Sequence, residues 1–145
     1  MSIVSNFSKF MKANKIQKQN VMHPVTKSLM DENGEPLLWE IKPLTTKENE
    51  AIRESCTIEV PVKGKPNQYR PKVDMNKYQT KLICAAVVFP DLNNAELQNS
   101  YGVMSAEELI KEMVDDPAEY TDLMVFIQKL SGFKTLQDEV EEAKN

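Results

Sequence analysis

Two cysteines, Cys56 and Cys84, and a single histidine, His23, are all this 145-residue sequence offers of the side chains that most often hold transition metals. A zinc finger or ribbon needs four such ligands, so that class is excluded, and so is a small secreted scaffold held by disulfides. One histidine also leaves triad chemistry short of parts, since it would have to serve every acid–base role. Glycine is equally sparse. Gly34, Gly64, Gly102 and Gly132 are scattered singly, and neither GxGxxG nor GxxxxGK[ST] occurs, so no phosphate cradle is encoded. Asp31-Glu32-Asn33-Gly34 lacks the spacing and distal glutamate of a calcium loop. The longest apolar run, Leu82 to Pro90, is well short of the roughly 20 residues a membrane helix needs. The first residues, MSIVSNFSKFMKANK, carry no apolar stretch of signal-peptide length. Arginine is nearly missing, with Arg53 and Arg70 against 16 lysines. The planar fork that reads bases and phosphates bidentately is therefore scarce, which makes specific nucleic-acid recognition a poor fit.

What is present is an ordinary soluble composition, 41% hydrophobic and 28% charged, in a chain of one-domain length. The reading is a single domain over 1–135, with residues 1–20 as an N-terminal arm and 136–145 as an acidic tail. Charge divides along the chain. Residues 1–90 carry 14 Lys/Arg against 9 Asp/Glu, whereas 91–145 carry 4 against 13. No acid precedes Asp31, while Lys9, Lys12, Lys15, Lys18 and Lys27 all do. Such an arm is either a solvated terminus or a contact for phosphate or an acidic partner. Both cysteines fall among apolar residues, and free buried thiols suit a reducing compartment.

Hydrophobic spacing and capping residues give the elements. Ile3, Val4, Phe7, Phe10 and Met11 recur at helical intervals after Ser2, a candidate cap, and predict a short amphipathic helix over 3–13. It either packs back on its own domain or docks on a partner. Asn33-Gly34 marks a hairpin turn. Its strands are expected at Val25–Met30 and Leu37–Lys42, with Leu37, Trp39 and Ile41 on one face and Pro24, Pro36 and Pro43 bracketing them. His23, at the strand entry, has neither a nucleophile nor an orienting carboxylate nearby in sequence and reads as structural.

Thr45 with Glu48 forms a capping box that opens a helix near 46–56. Two strand-like stretches follow at 57–62 and 69–73, separated by the turn-forming linker 63–68. Asp74 caps a helix drawn over 75–89, apolar all round in its second half and so central to a bundle. The β-branched Val87-Val88 leaves a strand over 82–89 as the competitor. Asn93 or Asn94 caps a short turn closed by Gly102. Ser105 with Glu108 opens a helix at 106–114. Asp116-Pro117 opens the last long helix, whose stripe is Tyr120, Leu123, Met124, Ile127 and Leu130 and which Gly132 stops. The fold class is α+β, mainly α: a short N-terminal β-hairpin on a C-terminal bundle of about four to five helices.

Two features exceed a bland domain. Eight methionines suit either gap-filling or an adaptable binding surface. On the last helix, Val125 and Phe126 widen the apolar arc beyond what one neighbour covers, with Phe133 just past Gly132. A second packing partner is implied, either another subunit or a client helix laid in a groove.

The order of motifs then becomes informative. Asp31, Asn33, Gly34, Glu35, Pro36, Leu37, Trp39, Glu40 and Ile41 lead into Leu44 to Glu50, followed by a basic loop, Phe89 to Leu92 after the central helix, and an acidic helical end closing on Gly132-Phe133. In that order and spacing, across nearly the whole chain, the sequence resembles the XkdN-like family of phage tail assembly chaperones. The resemblance implies a non-catalytic protein that needs no cofactor or metal. It would bind the long, helical, aggregation-prone tape measure protein, and the tail tube protein is a further candidate partner. It would act in the host bacterial cytoplasm and be absent from the mature virion. A longer frameshifted product is a feature of the family, and here its switch would fall near Leu136–Asn145. The contact set expected from resemblance and apolar pattern together is Phe7, Phe10, Leu123, Met124, Phe126, Ile127 and Leu130. A homo-oligomer is left open. The competing functions are a structural tail or baseplate subunit, which would carry larger sheets, and a nucleic-acid-binding regulator, which the acidic second half opposes.

Overall fold

A computed structural model describes residues 3–133. Ser2 and the acidic stretch Leu136–Asn145 lie outside the described residues. The arm begins with α1 (Ile3–Ser8) and continues through turns into one 3-10 turn at Lys12–Asn14. The helix expected over 3–13 is thus broken after Ser8. The reason is energetic: isolated helices shorter than about 12–15 residues are marginal in water without packing. Here Phe7 and Phe10 are 65% and 87% exposed.

β1 (Val21–Pro24) and β2 (Leu38–Ile41) pair antiparallel, His23 opposite Trp39 and Val21 opposite Ile41. The hairpin is present, but its first strand lies upstream of the expected 25–30, and Pro24 sits within it instead of before it. β1 is an edge strand, where proline's missing N–H costs nothing. Beyond Pro24 the ladder breaks because Val25 and Thr26 turn inward and are buried. Thr26 Oγ1 donates to Glu119 Oε1 at 2.7 Å and Lys27 N to Glu119 Oε2 at 2.9 Å, so the chain here bonds to a helix instead of to a strand. Pairing resumes only at the Met30–Pro36 bridge. The tip is an Asx-type turn in which Asp31 Oδ1 accepts from Asn33 N and Glu35 N, with Gly34 at φ +78°.

α2 (Thr46–Ser55) starts at the expected capping box, with both reciprocal hydrogen bonds made. β3 (Thr57–Pro61) and β4 (Tyr69–Val73) form a separate, largely exposed two-stranded ribbon. α3 (Met75–Ala86), capped by Asp74, packs against α2 and two later helices, α5 (Ala106–Met113) and α6 (Pro117–Ser131). The central position expected for α3 is met, but the helix ends at Ala86. Val87–Phe89 is β5, the third strand of the first sheet, pairing with β2. Each alternative for 82–89 held over part of the segment. Lys42 N donates to Ala86 O at 2.8 Å, so the sheet takes over where the helix stops, and β-branched Val87 and Val88 suit the extended form. α4 (Ala95–Ser100) is capped by Asn94.

The fold is α+β and mainly α, as expected. Its core joins both layers: Trp39 and Ile41 from the sheet, Leu82 and Ile83 from α3, Leu109 and Ile110 from α5, Leu123 and Ile127 from α6. Among the described residues, no buried side-chain nitrogen or oxygen lacks a hydrogen-bond partner. No helix among them is long and apolar enough to cross a membrane.

Candidate functional site

α6 is fixed at both ends by local chemistry. Asp116 accepts from Ala118 N and Glu119 N, and Pro117 fills the first turn without losing a bond. Gly132 at φ +89° ends the helix in the left-handed region. Ser131, at the last turn, accepts at Oγ from the buried Leu44 N at 2.8 Å, which ties the helix to the segment leaving β2. Glu119 ties its first turn to Thr26 and Lys27. Held at these points, α6 and the hairpin leave a groove of about 1020 Å³ between them.

The groove has an apolar floor and a charged rim. The His23 and Phe126 rings stack at 3.7 Å between centroids, 7° from parallel. Val25, Pro24 and Pro36 line one wall, and Leu123 and Val125 the other. The rim carries Asp115, Asp116, Glu119 and Asp122 against Lys27 and Lys129. Asp116 and Glu119 are engaged by backbone and Thr26. Asp115 and Asp122 are exposed, and neither side chain makes an ion pair or hydrogen bond among the described residues. Burial against the neighbouring ring holds the His23 imidazole below its ordinary value, so it is neutral at pH 7.

The sequence-expected contact residues separate into three groups. Leu123 and Ile127 are 2% and 1% exposed and belong to the core, although Leu123 also reaches the groove wall. Met124, Phe126 and Leu130 are half-buried against that core, with Phe126 on the groove floor. Phe7 and Phe10 project from the arm and do not line the groove. The sequence reading missed the hairpin wall, the rim of Asp115 and Asp122, and the partnership of His23 with Phe126. No local signal encodes the wall or the ring pair, because they join residues more than ninety positions apart, and the two acids become a rim only once that wall stands beside α6.

The rest of the surface offers little reactive chemistry. Burial pushes the Cys84 thiol up to about 12, so it stays protonated, and Cys56 is fully buried. Among the described residues no three His, Cys, Asp or Glu side chains are grouped to hold a metal ion. The arrangement is suited to binding a chain segment.

Comparison with known proteins gives the family. Residues 7–144 match the family described as phage XkdN-like tail assembly chaperone protein. This chain belongs to that family. Its relatives include the phage-like element PBSX protein XkdN of Bacillus subtilis (strain 168), 24% identical over 143 residues, which take in 98% of this chain and 95% of that protein. YqbN of the same strain, described as uncharacterized, has the same identity and coverage. The crystal structure of the protein YqbN shares the fold, with a TM-score of 0.72 and 20% identity over 88% of this chain and 96% of that one. The XkdN-like assignment implies a role in assembling phage tails, not in catalysis.

Proposed function

We propose that this chain binds the tape measure protein of its phage and keeps it soluble until the tail tube forms around it, in the host bacterial cytoplasm and without entering the finished particle. The observation that carries this reading is the groove between the hairpin and α6, apolar at its floor and acidic at its rim. An amphipathic client helix with lysine or arginine along its flanks would bury its apolar stripe on Phe126, Val125 and Val25 and set its charges toward Asp115 and Asp122. Phe7 and Phe10 of the arm supply further apolar contact. Fully burying one such ring contributes about 1.5–3 kcal/mol, while the acidic rim keeps the loaded complex soluble. Leu123 and Ile127 support this surface from beneath.

The test is co-expression with the tape measure protein of the same phage, followed by size exclusion with light scattering. The intact chain is expected to hold the tape measure protein in solution and co-elute with it. A Phe126→Asp variant that remains folded is expected to lose it. If the client stays insoluble while this chain alone builds rings or tubes, the protein is a structural tail subunit instead.

A further inference from the structure

The arm and the groove are complementary, and no described residue of the arm lines the groove. Phe10 and Ile16 are 87% and 91% exposed, with Phe7 and Met11 also open to solvent. Lysines 9, 12 and 15 lie among them with no acid between residues 6 and 20. The groove offers the reverse: an apolar floor and the carboxylates Asp115 and Asp122, which have no ion-pair partner among the described residues. We propose that the arm of one copy of this chain docks in the groove of a second copy, and the second arm in the first groove. This rests on the groove being a docking surface, as proposed above.

The anchorage of the arm favours exchange over folding back. Its root is fixed: Lys18 Nζ donates to Ser131 O at 2.8 Å and Asn20 Nδ2 to Glu40 Oε2 at 2.8 Å. A Cβ on Gly132 would stand 3.0 Å from that lysine nitrogen, so the root is packed as well as bonded. Beyond the root the segment closes on itself, with Phe10 N to Phe7 O at 3.0 Å and Asn14 Nδ2 to Ser8 O at 2.8 Å, and its aromatic rings face solvent. The root packs at the C-terminal end of α6 in a cleft lined by Lys15, Lys18, Pro43 and Ser131, which shares no lining residue with the groove. Two copies trading arms make the same contact twice and close as a dimer instead of growing into a filament. The exchange would also cover the arm's aromatic surface before a client arrives.

Sedimentation of the purified full chain over a range of concentration and salt tests this without any client. A failure to dimerise and a failure to bind tape measure protein are thus separate results. The wild type is expected to dimerise in a concentration-dependent way that weakens with salt. Asp115→Lys with Asp122→Lys, and Lys9→Glu with Lys12→Glu, change only exposed positions, so circular dichroism should match the wild type. Each double variant alone is expected to lose dimerisation by about tenfold or more in Kd. Mixing the two double variants restores a native arm opposite a native groove, and association should return. A wild type that stays monomeric throughout would overturn the proposal. So would double variants that dimerise as well as the wild type, or a mixture that stays monomeric.

Discussion

The arm and α6 are both amphipathic segments read from the same kind of spacing, yet they end in opposite states. α6 buries Leu123 and Ile127 to 2% and 1% exposure, whereas the arm leaves Phe10 at 87%. Their local stripes do not account for the contrast. α6 has fifteen residues, a cap at each end, and two long-range ties through Glu119 and Ser131. α1 has six residues and gives way to turns within three positions of its end. An apolar stripe says that a face will be covered, but not by what. Where length and anchorage suffice, the core covers it; where they do not, the face stays exposed.

That contrast can be broken from the core side first. Trp39→Ala removes a fully enclosed indole from the sheet layer and should cost about 3–5 kcal/mol, seen as a large fall in the denaturant midpoint. A smaller effect is expected from Ser131→Ala. It leaves the buried Leu44 N–H without its acceptor and should cost about 1–3 kcal/mol in the same unfolding assay. Thr45→Ala removes one arm of the capping box on α2 and should lose about 1 kcal/mol. At the other extreme, Phe10→Ser should move stability by less than about 0.5 kcal/mol. It should still weaken client capture in the co-expression assay, which would separate the arm's role from that of the body.

The His23–Phe126 pair gives a pH-dependent version of the same comparison. The folded imidazole is held below its ordinary 6.5, so on acidification the unfolded chain takes up this proton first. The stability linked to His23 is complete above pH 6.5 and is lost as pH falls through the depressed folded value. A His23→Phe variant keeps a ring over Phe126 and removes the titration. Its melting temperature relative to wild type should therefore rise as pH is lowered through that range. A gap that stays constant would mean that the stack does not disfavour the charged form.

Much of the fold was legible because its signals are local. The Thr45–Glu48 box, the caps at Asp74, Ser105 and Asp116, and the stop at Gly132 each depend on residues within a few positions, and each stands where the spacing placed it. The Asn33-Gly34 turn was equally plain, but the strands feeding it were not. Thr26 and Lys27 give their hydrogen bonds to Glu119 instead of to a ladder. The end of α3 at Ala86 depended on whether β2 had a free edge to accept β5. For the candidate site, Phe126 stood out as a residue too many for its stripe, whereas the groove it floors depends on contacts across the whole chain.

In the proposed function, the acidic-rimmed groove beside α6 receives the client. Carbodiimide labelling of exposed carboxylates, read by mass spectrometry with and without bound tape measure protein, tests it most directly. The chain is kept dilute enough to be monomeric when free. Asp115 and Asp122 are expected to lose reactivity in the complex while Glu59, exposed on the β3–β4 ribbon, keeps it. Protection at Glu59 with Asp115 and Asp122 still fully reactive would contradict it and move the client to the β3–β4 ribbon.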